Sequence, residues 1–167
     1  HGSYWDPKLK TPFPPDNPKR LHSLRKDSVA FVNRYAGKQP FFVMVNHYAP
    51  HIPHMSTKEA FERTKKRWIA EGRDTEKIDA EKSSVHRDIL YAAMVEEMDM
   101  NVGALIDALK AKGQLDNTYF IFTSDNGGGH SRKIKVDGEL RRFNGPLQDG
   151  KRSIFEGGIR VPTIIAG

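Results

Sequence analysis

Cysteine is absent from all 167 residues, which removes disulfides, thiolate metal ligands and a cysteine nucleophile from the chemistry open to this chain. It leaves the compartment open, because a cysteine-free protein tolerates oxidising and reducing surroundings alike. No apolar run approaches the roughly 18 residues that a membrane span requires, so no membrane partner is expected. The opening His1-Gly2-Ser3-Tyr4-Trp5 lacks an initiator methionine, a basic segment and an apolar segment. These residues therefore read as the middle of a longer protein, with any export signal outside them. A basic and aromatic motif of the nucleic-acid-binding kind is missing too. The net charge of +6 would attract a polyanion. Its cations, however, are spread along the chain and interleaved with acids, as in Asp137-Gly138-Glu139-Leu140-Arg141-Arg142, and no nucleic-acid partner is expected.

What remains is an ordinary globular composition, 37% hydrophobic and 29% charged, on a chain long enough to bury about two-thirds of its unfolded surface. Residues 1–18 carry Pro7, Pro12, Pro14, Pro15 and Pro18, which exclude a helix interior and read as a surface connector. From Lys19 to Ala36 apolar residues fall at helical spacing, and Gly37 supplies a stop. Phe41-Phe42-Val43-Met44-Val45 is a continuous apolar run, the pattern of a strand buried on both faces. Ser56-Thr57-Lys58-Glu59 has the form of a capping box with Ser56 as the cap. It predicts a helix to about Glu71, ended by Gly72, with Phe61 and Trp68 on its buried side. After a polar connection over 73–84, Ile89, Met94, Met98, Val102, Leu105, Ile106 and Leu109 form the stripe of a long helix closed by Gly113. Tyr119 to Thr123 and Val161 to Ala166 read as two further strands. Strand, long helix, strand predicts a crossover, and hence an α/β fold built as part of a mainly parallel sheet with flanking helices. Residues 19–167 form its α/β part, and 1–167 a single segment.

In such sheets ligands gather beyond the carboxyl ends of strands. Two segments end there: His47-Tyr48-Ala49-Pro50-His51-Ile52-Pro53-His54, and Ser124-Asp125-Asn126-Gly127-Gly128-Gly129-His130. Asp125 and Asn126 offer hard oxygen ligands suited to Ca²⁺ or Mg²⁺, although Asp-Asn-Gly is also a common turn. Zinc is disfavoured at the three histidines, because Pro50 and Pro53 prevent the helical spacing that would set two imidazoles on one ion. A histidine reaching an anionic substrate, or one hydrogen-bonded within its loop, are the readings left.

The run Pro146-Leu147-Gln148-Asp149-Gly150-Lys151, followed by Glu156-Gly157-Gly158-Ile159-Arg160-Val161-Pro162, is far more specific. With Thr123-Ser124-Asp125-Asn126-Gly127 and His51-Ile52-Pro53-His54 upstream in the same order, it resembles the sulfatases of the alkaline-phosphatase-like superfamily. The resemblance covers the chain from about residue 19 to its end. It implies that Asp125 and Asn126 help hold a divalent cation, usually calcium, beneath a sulfate group. It implies that Lys151 contacts a sulfate oxygen and that His51 lies near the ester oxygen, to bind or protonate the leaving group. Glu156, Gly157, Gly158 and Arg160 would build the turn and its ion pairs. A sulfated small molecule or glycan is the implied substrate of the full protein, and a periplasmic or secreted location the implied compartment.

The nucleophile of that family is a formylglycine made from the Cys or Ser of a Cys/Ser-x-Pro-x-Arg motif. The chain has neither this motif nor the family's metal-binding Asp-Asp pair. It is therefore expected to be an interior segment, truncated at both ends, without turnover on its own and prone to self-association through uncovered sheet edges. A phosphohydrolase of the same superfamily, and a non-catalytic metal- or glycan-binding module, are the alternatives.

Overall fold

The computed structural model describes residues 13–167 apart from 74, 77, 79–82, 130–132, 137–138 and 143. Of the connector expected over 1–18, residues 1–12 lie outside the described ones. The chain divides into two compact units, His1–Leu115 and Asp116–Gly167.

The first unit is helical: α1 (Leu21–Tyr35), α2 (Lys58–Ala70) and α3 (Ser84–Ala111), with α1 and α2 both packed on α3. Each helix ends where its glycine stop was expected, since Gly37, Gly72 and Gly113 all adopt positive φ, at 77°, 68° and 62°. Ahead of α1, the Asn17 side-chain oxygen accepts the N–H groups of His22 and Ser23, at 3.0 and 3.2 Å. Those donors would otherwise be orphaned at a helix start. The buried centre is built from Leu21, Val32, Ala60, Ile89, Met94 and Leu109. The last three belong to the predicted α3 stripe.

Polar groups are also buried, and several of them join two elements. Asn101 donates to the carbonyl of Leu21 at 2.9 Å. Glu97, 5% exposed, accepts from His22 Nε2 and Arg63 Nη2, both at 3.0 Å. Glu96 accepts from Arg63, from Thr64 Oγ1 at 3.1 Å and from Arg67 Nη1 at 3.0 Å. Burial opposes ionisation of Glu96, but Arg63, Thr64 and Arg67 outweigh it and hold its pKa below the ordinary carboxylate range.

Two expectations for this unit need correction. The cap of α2 is Thr57, whose hydroxyl accepts the Ala60 N–H at 3.1 Å, while Ser56 Oγ is buried with no partner among the described residues. The buried face of α2 accordingly falls on Ala60 and Thr64, with Phe61 and Trp68 half-buried. Phe41 to Val45 has no regular secondary structure and joins no ladder among the described residues. A strand needs neighbours to take up its N–H and C=O groups, and both ladders among the described residues lie in the second unit. Instead Phe41 meets Phe31 of α1 edge-on at 5.6 Å, and just after the run Tyr48 meets Phe13 at 5.4 Å and Ala49 enters the core with Leu21 and Met94. Phe42 and Met44 remain 82% and 67% exposed.

The second unit holds β1 (Phe120–Thr123), β2 (Lys133–Val136), β3 (Glu139–Arg142), the short α4 (Glu156–Ile159) and β4 (Thr163–Ala166). β1 pairs with β4 in the register Phe120↔Ala166 to Thr123↔Thr163, and β2 with β3 in a hairpin that was not anticipated. The class is mixed α/β with open sheets, but both described pairings are antiparallel where a mainly parallel sheet was expected. The reason is topological. A parallel partner for β1 has to arrive by a crossover, whereas β4 returns to it through β2, β3 and α4 and runs antiparallel.

Candidate functional site

β1 ends at Thr123, whose hydroxyl lies 3.1 Å from that of Thr163 on β4, so the two strands are tied where the Asp125 loop leaves them. Within the loop, Ser124 Oγ donates to the Asn126 carbonyl and Asn126 Nδ2 to the Gly127 carbonyl, both at 2.9 Å. The second bond orients the amide, so Asn126 Oδ1 is the atom it can offer a cation. The Asp125 side chain is exposed.

From Gly127 onward, backbone bonds tie the loop to the segments beside it. Gly127 N–H donates to Gly158 O at 2.9 Å, Lys151 N–H to Gly128 O at 2.8 Å, and Gly157 N–H to Gln148 O at 2.7 Å. The segments approach so closely that side chains are excluded. A Cβ on Gly127 would stand 1.9 Å from Gly157 O, and one on Gly157 would stand 2.2 Å from Asp149 O. The Lys151 turn is bracketed by Asp149 and Arg152 in the left-handed region, at φ 66° and 78°. α4 carries the exposed ion pair expected of its motif, Arg160 Nη1 to Glu156 Oε2 at 3.5 Å.

Asp125, Asn126 and Lys151 thus belong to one backbone scaffold in the second unit, with Lys151 bonded to the loop that carries the other two. His51 lies in the first unit, between the cis peptides Ala49-Pro50 and Ile52-Pro53. Its N–H donates to Tyr48 O at 3.0 Å, and its Nδ1 lies 2.7 Å from Ile52 O. A carbonyl can only accept, so Nδ1 carries the proton and the lone pair of the neutral ring sits on Nε2. The neighbouring histidines differ. His47 is half-buried, its Nδ1 has no partner among the described residues, and burial lowers its pKa. His54 stacks edge-on against Tyr91 at 5.5 Å.

Sequence reasoning passed over one residue of this scaffold, Asn144. Its Nδ2 donates to both Gly128 O and Asp149 O, at 3.1 Å each. The available signal was an amide side chain immediately before the Gly145-Pro146 turn, a position where Asn commonly bonds nearby backbone.

Among the described residues no three His, Cys, Asp or Glu side chains gather as a metal-binding group. The donors at the Asp125 loop, one carboxylate and one amide oxygen, suit a hard cation but fall short of the six to eight oxygens that Ca²⁺ takes. They fit as part of such a set.

The sulfatase family model matches residues 2–167, and the chain belongs to that family. It is 34% identical over 142 residues to "Arylsulfatase H" of Homo sapiens, covering 84% of this chain and 21% of that protein. To human "N-acetylgalactosamine-6-sulfatase" it is 30% identical over 139 residues, covering 83% and 22%. Among solved structures, "Ps i-CgsB in complex with k-i-k-neocarrahexaose" is similar at a TM-score of 0.61 and 32% identity, covering 87% of this chain and 27% of that one. The chain thus spans about a fifth to a quarter of these relatives.

Proposed function

We propose that this chain supplies part of the active site of an enzyme that hydrolyses sulfate esters with a divalent cation, most simply Ca²⁺, with Mg²⁺ as the other candidate. Asp125 and Asn126 contribute oxygen ligands, Lys151 binds a sulfate oxygen, and His51 binds or protonates the departing ester oxygen. The observation that carries this reading is the Lys151 N–H to Gly128 O bond of 2.8 Å, which joins the cation's loop to the sulfate's cation. When bound, the cation would neutralise charge on the sulfate oxygens. Lys151 would add a fixed positive group on the same anion. His51, carrying its proton on Nδ1, would take a second one on Nε2 and deliver it to the alkoxide as the S–O bond breaks. A saccharide is supported as the ester's carrier by the similar structure solved with a neocarrahexaose.

The chain has no Cys/Ser-x-Pro-x-Arg motif from which a formylglycine could be made, so alone it should have no turnover. The β1–β4 ribbon leaves Ile121, Phe122, Ile164 and Ile165 between 42% and 68% exposed, which supports self-association in isolation. The test is an aryl-sulfate assay with light scattering, on the chain alone and after adding an N-terminal segment that bears a matured formylglycine. Activity only on complementation, lost in Lys151→Ala, supports the reading. A monomer that turns over unaided refutes it, as does a complemented enzyme indifferent to Lys151. Phosphate-ester turnover in its place would point to the phosphohydrolase alternative.

A further inference from the structure

The loop of Asp125 and the turn of Lys151 meet at one carbonyl. Gly128 O accepts the Lys151 N–H at 2.8 Å and Asn144 Nδ2 at 3.1 Å. The same Asn144 nitrogen donates its other hydrogen to Asp149 O at 3.1 Å. Both partners are carbonyls, which only accept, so the amide can sit only with its NH₂ toward them. Asn144 is half-buried, and its own carbonyl is fixed by the Leu147 N–H at 2.8 Å.

We infer that Asn144 is the positioning residue of the proposed sulfate site, cross-linking the Asp125–Asn126 loop to the Lys151 turn and so setting their spacing. The inference rests on the function proposed above. The loop and the turn share one direct backbone bond, since the Gly127 bond to Gly158 reaches the turn only through the Gly157 bond to Gln148, and each can pivot about that direct bond. A third point bonded to both closes a triangle and fixes the pivot. The point is well chosen, because Asp149, whose carbonyl Asn144 holds, is one of the left-handed residues bracketing the Lys151 turn. Asn144 is not a catalytic residue, as it has no role with substrate in this scheme. Its effect passes through Lys151.

Amide exchange and titration by nuclear magnetic resonance on the full chain provide the test. In Asn144→Ala, exchange at the Lys151 N–H should rise about tenfold, the effect of losing one hydrogen bond, while the Gly127 N–H, bonded to Gly158, keeps its protection. In calcium chloride, inorganic sulfate should move the Asn126 and Lys151 resonances along one curve in the wild type. In Asn144→Ala that shared midpoint should move to about threefold higher sulfate or more, because the two loops are no longer held at the binding spacing. Wild-type exchange at Lys151, or a wild-type sulfate midpoint in the variant, overturns the inference. Should Asn144→Ala open the whole unit, seen as lost protection at Gly127, Asn144→Ser, which keeps one donor, is read against the same outcomes. If sulfate moves neither resonance in the wild type, the functional reading falls, and exchange at Lys151 still decides what Asn144 holds.

Discussion

The helical unit and the loop unit are held together by different parts of the chain. In the first, side chains carry the structure: Leu21, Ile89 and Met94 fill a core, and Glu97 gathers a histidine from α1 and an arginine from α2. In the second, backbone meets backbone: Gly127 on Gly158, Gly157 on Gln148, Lys151 on Gly128. Side-chain packing loosens by degrees, because neighbours can relax into a lost methyl or a shortened chain. Backbone contact at the distances found here has nothing to give. A binding site gains from the second arrangement, since it fixes its frame without using the side chains that must face a ligand.

The largest effect should come from closing that backbone contact. Gly127→Ala places a methyl 1.9 Å from Gly157 O, and overpacking against backbone should destabilise the second unit by about 3 kcal/mol or more. Amide exchange would show its protection lost while α3 keeps its own, and equal loss in both units would erase the distinction drawn above. Next comes Glu97→Ala, which strands His22 and Arg63. Breaking a buried pair costs about 3–5 kcal/mol, but the partners are 35% and 43% exposed. About 2 kcal/mol is therefore expected in thermal unfolding, confined to the helices.

Acid should separate the units in the same direction. The folded-state pKa of Glu96 is depressed, so its contribution is present above the ordinary carboxylate range and is lost as pH falls through the folded value. The helical unit should lose stability across that window, and Glu96→Gln should flatten the pH dependence. A profile unchanged by Glu96→Gln would remove this group from the account. The smallest effect is at the α2 cap. Thr57→Ala should lower stability by about 1 kcal/mol, whereas Ser56→Ala, removing a buried hydroxyl without a partner, should be neutral or slightly stabilising. Reversed results would restore Ser56 as the cap.

Much of the helical unit was legible because period and stop signals agree. The α3 stripe and the glycines at 37, 72 and 113 mark where helices run and end, and local geometry enforces both. Glu97 and Asn101 escaped notice because a polar residue beside an apolar stripe reads as solvated until its partners on other helices are known. Phe41 to Val45 shows a different limit. An apolar run reports that a segment can be a strand, but a ladder needs a second chain segment, and periodicity carries no information on which one. At the candidate site, the motifs named Lys151 and the Asp125 loop, and the Lys151 N–H to Gly128 O bond joins the two in the structure. Asn144 was invisible as a function because its work is done through carbonyls, which every residue has.

The glycine contacts carry a consequence for how variation in this chain would be read. In a library scored for folding alone, Gly127, Gly157 and Gly158 would admit almost nothing, since a methyl at each meets a carbonyl oxygen at 1.9, 2.2 and 2.1 Å. Asp125, exposed beside them, would accept most replacements under the same screen. Scored for chemistry, both kinds of position would look equally invariant. An inventory of unchanging residues would therefore merge the frame with the reactants, and a folding screen run in parallel would pull the two alphabets apart.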